Sequence, residues 1–403
     1  MCCNRIGQLS AAGHVFHHLC KALIVPLTSV SPAPNIDILL PAKERFSPSN
    51  AGAISGVVRD LVQASRAAKQ FRIIGTDVET SLMHDHFTGL LPKMRWLNGH
   101  NLGLAAAYLD LIRKTGAPDL VEVHSRCHVA RYLAQKRPAL NVTLYLHNDP
   151  RQMKGGRSAS ERRYLLQKLA GIICVSDYIL NCFLDGLDDC GDLASKVGVV
   201  RNGAHRWLKQ PPTKENFILL AGRMVPEKGI LECATAIAQV LPQYPGWALI
   251  IAGAKRFEES APGSYEEKIA KAIAPLKERA KMLGFIPIAD MRDWQARAAI
   301  SACPSLWHDP MPKAVLESLA AGCALITTRR GGIPEAAEGR ALIIDAPSVA
   351  SFANGFDRLL GNAAFRQNLQ QIAWQDFPFT DTAMAEAADQ LRLQALTDNR
   401  RKT

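Results

Sequence analysis

Four ionisable side chains in the carboxyl-terminal half could handle a phosphorylated, hydroxyl-rich ligand. Arg223 and Lys228 stand on a glycine-flanked loop, GRMVPEKG at 222–229, that follows an apolar run at 217–221 and opens a helix. Two cations so placed can neutralise a diphosphate through charge-assisted hydrogen bonds, with the backbone amides of a helix start adding to them. The plainer alternative is surface salt bridging to Glu227 or Glu232. Asp309 and Glu317 stand with seven residues between them, the first in a loop and the second on a short helix. Alone they could be two solvated carboxylates. Around them, Pro312 suits a first helical position, Gly322 suits the left-handed residue past a helix end, and a buried-type strand is expected at 324–327. Arg330-Gly331-Gly332 then turns the chain into a further helix start at Pro334-Glu335.

The amino-terminal half offers a second group. Polar residues cluster where apolar strands end: His124-Ser125-Arg126 after a strand at 120–123, and His147-Asn148-Asp149 after one at 142–146. In open α/β sheets ligands collect at strand carboxyl ends, so these histidines are better placed for binding than one on a helix face, although a structural role stays open for each. Arg126 could meet an anionic ligand. Gly52, with Ser49 or Asn50 as cap, precedes apolar residues at 54, 57, 58, 61 and 62, a helical spacing whose start is an expected anion site. Residues 151–168 hold six cations (Arg151, Lys154, Arg157, Arg162, Arg163 and Lys168) against Glu161, beside Leu165, Leu166 and Leu169. Such a basic amphipathic stretch suits anionic lipid headgroups, or is simply a solvated helix face.

The elements that must position these residues alternate strand and helix, as in parallel doubly wound sheets. Further strands are expected at 36–41, 71–74, 172–175, 197–200, 217–221, 247–252 and 341–344. Helices are expected at 104–114, 129–135, 266–281, 290–300, 365–374 and 382–396. At 403 residues the chain can bury two cores. Pro211-Pro212 marks the linker, giving a weakly ordered extension at 1–34, an amino-terminal domain at 35–205, a carboxyl-terminal domain at 206–379 and a terminal segment at 380–403. The net charge of +11 favours a phosphorylated or anionic-surface partner over a neutral one. Ten cysteines without C-x-x-C or Cys/His pairing argue against zinc and disulfides and for a reduced, cytoplasmic protein. No apolar run approaches the ~20 residues of a membrane helix, and no D-x-D element is placed to hold a metal, Asp188-Asp189 lacking that spacing.

In combination and in this order, GR(x4)KG, D-x7-E, Ala51-Gly52-Ala53, VSDYI at 175–179 and VVRNGAH at 199–205 resemble the retaining glycosyltransferases of family 4, from about residue 35 to the end. Within that family the pattern is most similar to bacterial lipopolysaccharide-core hexosyl- and mannosyltransferases. The resemblance implies a GT-B fold, in which two Rossmann-like domains with parallel sheets face a central cleft and the last helix crosses back to the first domain. It implies a nucleotide-diphosphate sugar donor and a lipid-linked or core oligosaccharide acceptor, with no cofactor, no metal and no nucleic acid. Arg223 and Lys228 would hold the diphosphate. Glu317 would take the ribose hydroxyls, and Asp309, where the family has Glu, would contact the sugar together with Met311, Pro312, Lys313 and Ala314. His147 would border the reacting carbon, Gly52 and Arg126 the substrate, and Phe285-Ile286 the nucleobase. A cytoplasmic enzyme, peripheral on the inner membrane face, is expected. A nucleotide-sugar epimerase of the same fold, a binding module without catalysis, and a nucleic-acid binder are the alternatives.

Overall fold

Leucine- and isoleucine-rich runs supply the strands of a computed structural model that describes residues 33–49, 51–93, 95–187, 191–254 and 263–400. β1 (Ile36–Leu39), β2 (Phe71–Thr76), β3 (Phe87–Leu90), β4 (Leu120–His124), β5 (Val142–Leu146), β6 (Gly171–Cys174) and β7 (Val197–Val199) form a parallel sheet in the order β3-β2-β1-β4-β5-β6-β7. Around it lie α1 (Ala53–Ala64), α2 (Arg95–Thr115), α3 (Cys127–Lys136), α4 (Ala159–Lys168) and α5 (Asp177–Leu184). β1, β4, β5 and β6 are buried along their whole length. Helices on both faces explain why they read as continuous apolar runs rather than alternating ones.

The second sheet repeats this pattern. β8 (Glu215–Ala221), α6 (Ile230–Val240), β9 (Ala248–Ala252), α7 (Ser264–Ile273), β10 (Ala280–Met282), α8 (Ile288–Arg297), β11 (Ala298–Cys303), α9 (Lys313–Ala320), β12 (Ala324–Thr328), α10 (Ile333–Ala337) and β13 (Ala341–Ile344) follow in sequence. Its order is β10-β9-β8-β11-β12-β13, again all parallel. The chain therefore reverses direction across each sheet at β1/β4 and at β8/β11, the crevices where doubly wound sheets bind ligands. α11 (Val349–Gly361) and α12 (Ala363–Gln375) cover the second sheet, and α13 (Asp381–Arg400) packs on β6 and α1 of the first. Both halves are Rossmann-like, and together they make the GT-B architecture.

Several local expectations change. The helix expected at 290–300 ends at Arg297, and residues 298–303 become β11, paired with β8 and β12. Small apolar residues there fit either state, so sheet pairing decides. The helix expected at 266–281 stops at Ile273, where Pro275 removes an amide donor, and the chain re-enters the sheet as β10. β3 and α11 were not foreseen. Pro312 is the cap of α9 rather than its first residue, whereas Gly322 does take φ +68° past its end. The extension at 1–32, Asn50 and Asp188-Asp189 lie outside the described residues.

Candidate active site

The loops leaving β8 and β11 meet at the second switch point. Lys228 forms an ion pair with Asp309, whose residue is 5 % exposed. Together with Gly222, Ser305, Pro312 and Ala314 they line a cleft. The Ser305 hydroxyl is buried there without a hydrogen-bond partner among the described residues. Behind Asp309, Gly332 N–H donates to the Asp309 carbonyl at 2.8 Å. A Cβ on Gly331 would strike that carbonyl, one on Gly332 would strike the carbonyl of Pro310, and Gly331 has φ +57°. The glycine pair is thus required for the Asp309 loop to sit where it does. Arg223, next in sequence to the cleft-lining Gly222, is exposed, and its side chain has no ion pair among the described residues. Glu317 is half-buried one turn into α9, with Gln295 of α8 at 3.4 Å. Met311 is buried, and its carbonyl accepts from Asn202 at 2.9 Å. Phe285 is 44 % exposed beyond β10, while Ile286 packs against the small buried cluster that includes Phe217, Leu219 and Ile250.

On the first sheet, Ser125 takes a left-handed conformation (φ +51°) directly after β4, a strained backbone of the kind functional sites retain. Its hydroxyl accepts from the His147 backbone N–H at 3.2 Å. His147, 8 % exposed, contacts His124 (Nε2 to Nδ1, 2.8 Å), and His124 in turn contacts Glu122 at 3.0 Å. Burial, and then the neighbouring His124, hold the His147 imidazole well below its ordinary range, with Glu122 opposing, so it is neutral near pH 7. Arg126 is half-buried and donates to the Ser125 carbonyl at 2.7 Å.

The structure adds detail to three sequence expectations. The helix start at Gly52 is already occupied: Glu44 lies over Gly52 and accepts from Ser55 N–H at 2.9 Å, so no anion site is open there. The Lys313 side chain turns away from the cleft to Asp60 of α1 (2.6 Å) and the Gly203 carbonyl (2.7 Å). In the basic stretch, Arg162 is 3 % exposed and donates to the carbonyls of Phe183, Gly156, Arg157 and Asp185, and Leu165, Leu166 and Leu169 are core residues. Glu122 and Arg392 were missed, although a glutamate inside the buried strand LVEVH is itself a signal.

Residues 203–376 match the family described as "Glycosyl transferases group 1". The candidate glycosyltransferase YtcC of Bacillus subtilis (strain 168) is 27 % identical over 286 residues, covering 66 % of this chain and 68 % of that protein. A glycogen synthase of Mycobacterium tuberculosis (strain CDC 1551 / Oshkosh) is 26 % identical over 287 residues, 67 % of this chain and 68 % of that one. Among solved structures, Anabaena Alr3699/HepE in complex with UDP and glucose superposes with a TM-score of 0.67 at 17 % identity, over 89 % of this chain and 99 % of that one. The two parallel Rossmann-like sheets give the chain the GT-B fold of these structures. Its carboxyl-terminal domain carries the group 1 pattern.

Proposed function

We propose that the protein is a retaining, metal-independent hexosyltransferase of the family 4 type, moving glucose or mannose from a nucleotide diphosphate to a lipopolysaccharide-core or other cell-surface glycan. The observation that carries this reading is the Lys228–Asp309 pair in the cleft at β8/β11, backed by Gly331-Gly332. A diphosphate entering there meets Lys228 and Arg223, and its sugar meets Asp309 and the amides of the following loop. HepE, similar in fold, has been crystallised with UDP and glucose.

In the proposed step the bond from the anomeric carbon to the diphosphate oxygen breaks, and the acceptor hydroxyl oxygen bonds to that carbon on the same face. The hydroxyl proton passes to a diphosphate oxygen, so the products are the glycoside and the nucleoside diphosphate. Arg223 and Lys228 stabilise the charge that grows on the leaving group, the task a metal ion performs elsewhere. Glu317 holds the ribose hydroxyls, and Phe285 and Ile286 border the base. The exposed cations Lys154, Arg157 and Lys168 are the contacts for an anionic membrane surface.

Incubating the purified chain with a panel of nucleotide hexoses and a core-oligosaccharide acceptor, with and without EDTA, tests this. Transfer with the donor's anomeric configuration, unaffected by EDTA, is expected. Turnover of donor without acceptor would replace the reading by an epimerase, and inversion or EDTA sensitivity would overturn the mechanism.

A further inference from the structure

A line of buried polar side chains runs from α13 to His147. Strand side chains alternate, so Glu122 and His124 share one face of β4, and the register that sets His124 beside Tyr145 of β5 stacks three rings together. The centroid separations are 4.8 Å for His124–Tyr145, 4.9 Å for Tyr145–His147 and 5.0 Å for His124–His147. At the far end Arg392, 1 % exposed, donates to both oxygens of Glu122, at 2.9 and 2.7 Å.

Each hydrogen bond fixes the next. A guanidinium keeps its protons in proteins and an ionised carboxylate only accepts, so the nitrogen 3.0 Å from Glu122, His124 Nε2, bears a hydrogen. In a neutral ring His124 Nδ1 is then a bare acceptor, and His147 Nε2, 2.8 Å away, supplies the hydrogen between them. That leaves His147 Nδ1 as a lone pair, without a hydrogen bond to any described residue. Burial, and then the neighbouring His124, keep a further proton off the His147 ring against the pull of Glu122.

We propose that Glu122 and His124 are positioning residues that hold His147 in its Nε2–H tautomer, leaving Nδ1 to accept a hydrogen bond from a hydroxyl of the bound sugar. The proposal rests on the reading that His147 borders the donor sugar. A hydroxyl can satisfy a bare nitrogen, whereas an ionised phosphate oxygen cannot.

The test uses the full chain with ¹⁵N-labelled histidine, and the variants His124→Asn and His124→Phe. The asparagine retains a carbonyl for His147 Nε2–H; the phenylalanine keeps the ring stack and removes the acceptor. NMR of the parent near neutral pH is expected to give a protonated Nε2 and a bare Nδ1 for His147. The Asn variant should keep that pattern and most of the parental kcat. The Phe variant should populate both tautomers and lose kcat by about 10–100-fold, the range typical of residues that orient a ligating histidine, with KM for the donor little changed. A proton on Nδ1 in the parent, or parental kcat in the folded Phe variant, would overturn the proposal. Should His124→Phe fail to fold, the parental spectrum and the Asn variant still decide. The spectrum needs no turnover, so absence of sugar transfer with the tautomer in place would fault the proposed function and not the relay.

Discussion

Lys228 is paired with Asp309, so an arriving diphosphate must compete with Asp309 for the same ammonium. Asp309→Asn is therefore expected to bind the free nucleoside diphosphate more tightly than the parent while transferring sugar more slowly. Calorimetry of the nucleotide, set beside kcat, checks both halves, and weaker nucleotide binding would refute the competition. Lys228→Ala and Arg223→Ala, by contrast, should each lose about 2.7–4 kcal/mol of transition-state stabilisation, roughly a hundred- to a thousandfold in kcat, if they meet the leaving diphosphate as oxyanion donors do. Arg223 is exposed, so its variant should melt like the parent, whereas Lys228→Ala leaves the buried Asp309 carboxylate without its partner and should melt lower; parental kcat in either variant would remove it from the site. Gly332→Ala differs from these. Its Cβ cannot coexist with the Pro310 carbonyl, so the Asp309 loop must shift, and activity and stability should fall together.

The loops after β8 and β11 were legible in the sequence because each carries its chemistry within a few residues and sits where one strand ends. Contacts that join distant elements were not legible. Lys313 of α9 finds Asp60 of α1 across 253 positions, and Arg392 of α13 finds Glu122 across 270, distances over which no spacing rule operates. The first half of β11 was taken for helix because Ala298 and Ala299 are good helix formers, and only pairing with β8 and β12 on either side selects strand. The basic run at α4 shows the same limit, since its cations look alike in sequence but differ in fate. Arg162→Ala leaves four carbonyls, two of them buried, short of a donor and should cost at least about 2 kcal/mol in chemical denaturation. Lys154→Glu, Arg157→Glu and Lys168→Glu together should leave stability nearly unchanged and weaken binding to anionic vesicles. Parental sedimentation of that triple variant with such vesicles would leave the exposed cations merely solvated.

The two sheets are joined by buried and half-buried hydrogen bonds and ion pairs, and a further pair ties α13 to the first sheet, which makes the fold's cohesion depend on pH. Glu335 accepts from Asp177 N–H and Tyr178 N–H of α5, each at 2.9 Å, Lys313 holds Asp60, and Arg392 ties α13 to Glu122. Burial works against ionisation of Glu122, but Arg392 and His124 outweigh it and bring the carboxyl down from 4.5 to about 2. Burial likewise opposes ionisation of Asp60, and Lys313 with Arg59 overcomes it, leaving that carboxyl below 3.8. A carboxyl depressed in the fold binds fewer protons there than in the unfolded chain, so its contribution is complete above the unfolded value and drains away as pH falls towards the folded one. His147 adds a loss that begins below 6.5, because the unfolded imidazole takes up a proton that the folded one refuses. Glu335, raised by burial, has the opposite sign: it favours the fold as pH falls into its window and partly offsets His147. The groups facing Glu122 are Arg392 and Asp389 of α13, His124 of β4 and Tyr145 of β5, so Glu122→Gln combined with Arg392→Met removes the carboxyl without stranding the guanidinium. Chemical denaturation from pH 7 to pH 3 should show the parent losing stability more steeply below 4.5 than the double variant. The full Glu122 contribution is on the order of 3 kcal/mol, only part of it spent by pH 3. Equal slopes for the two proteins would mean that Glu122 is not held ionised by Arg392, and the hydrogen-bond chain to His147 would lose its anchor.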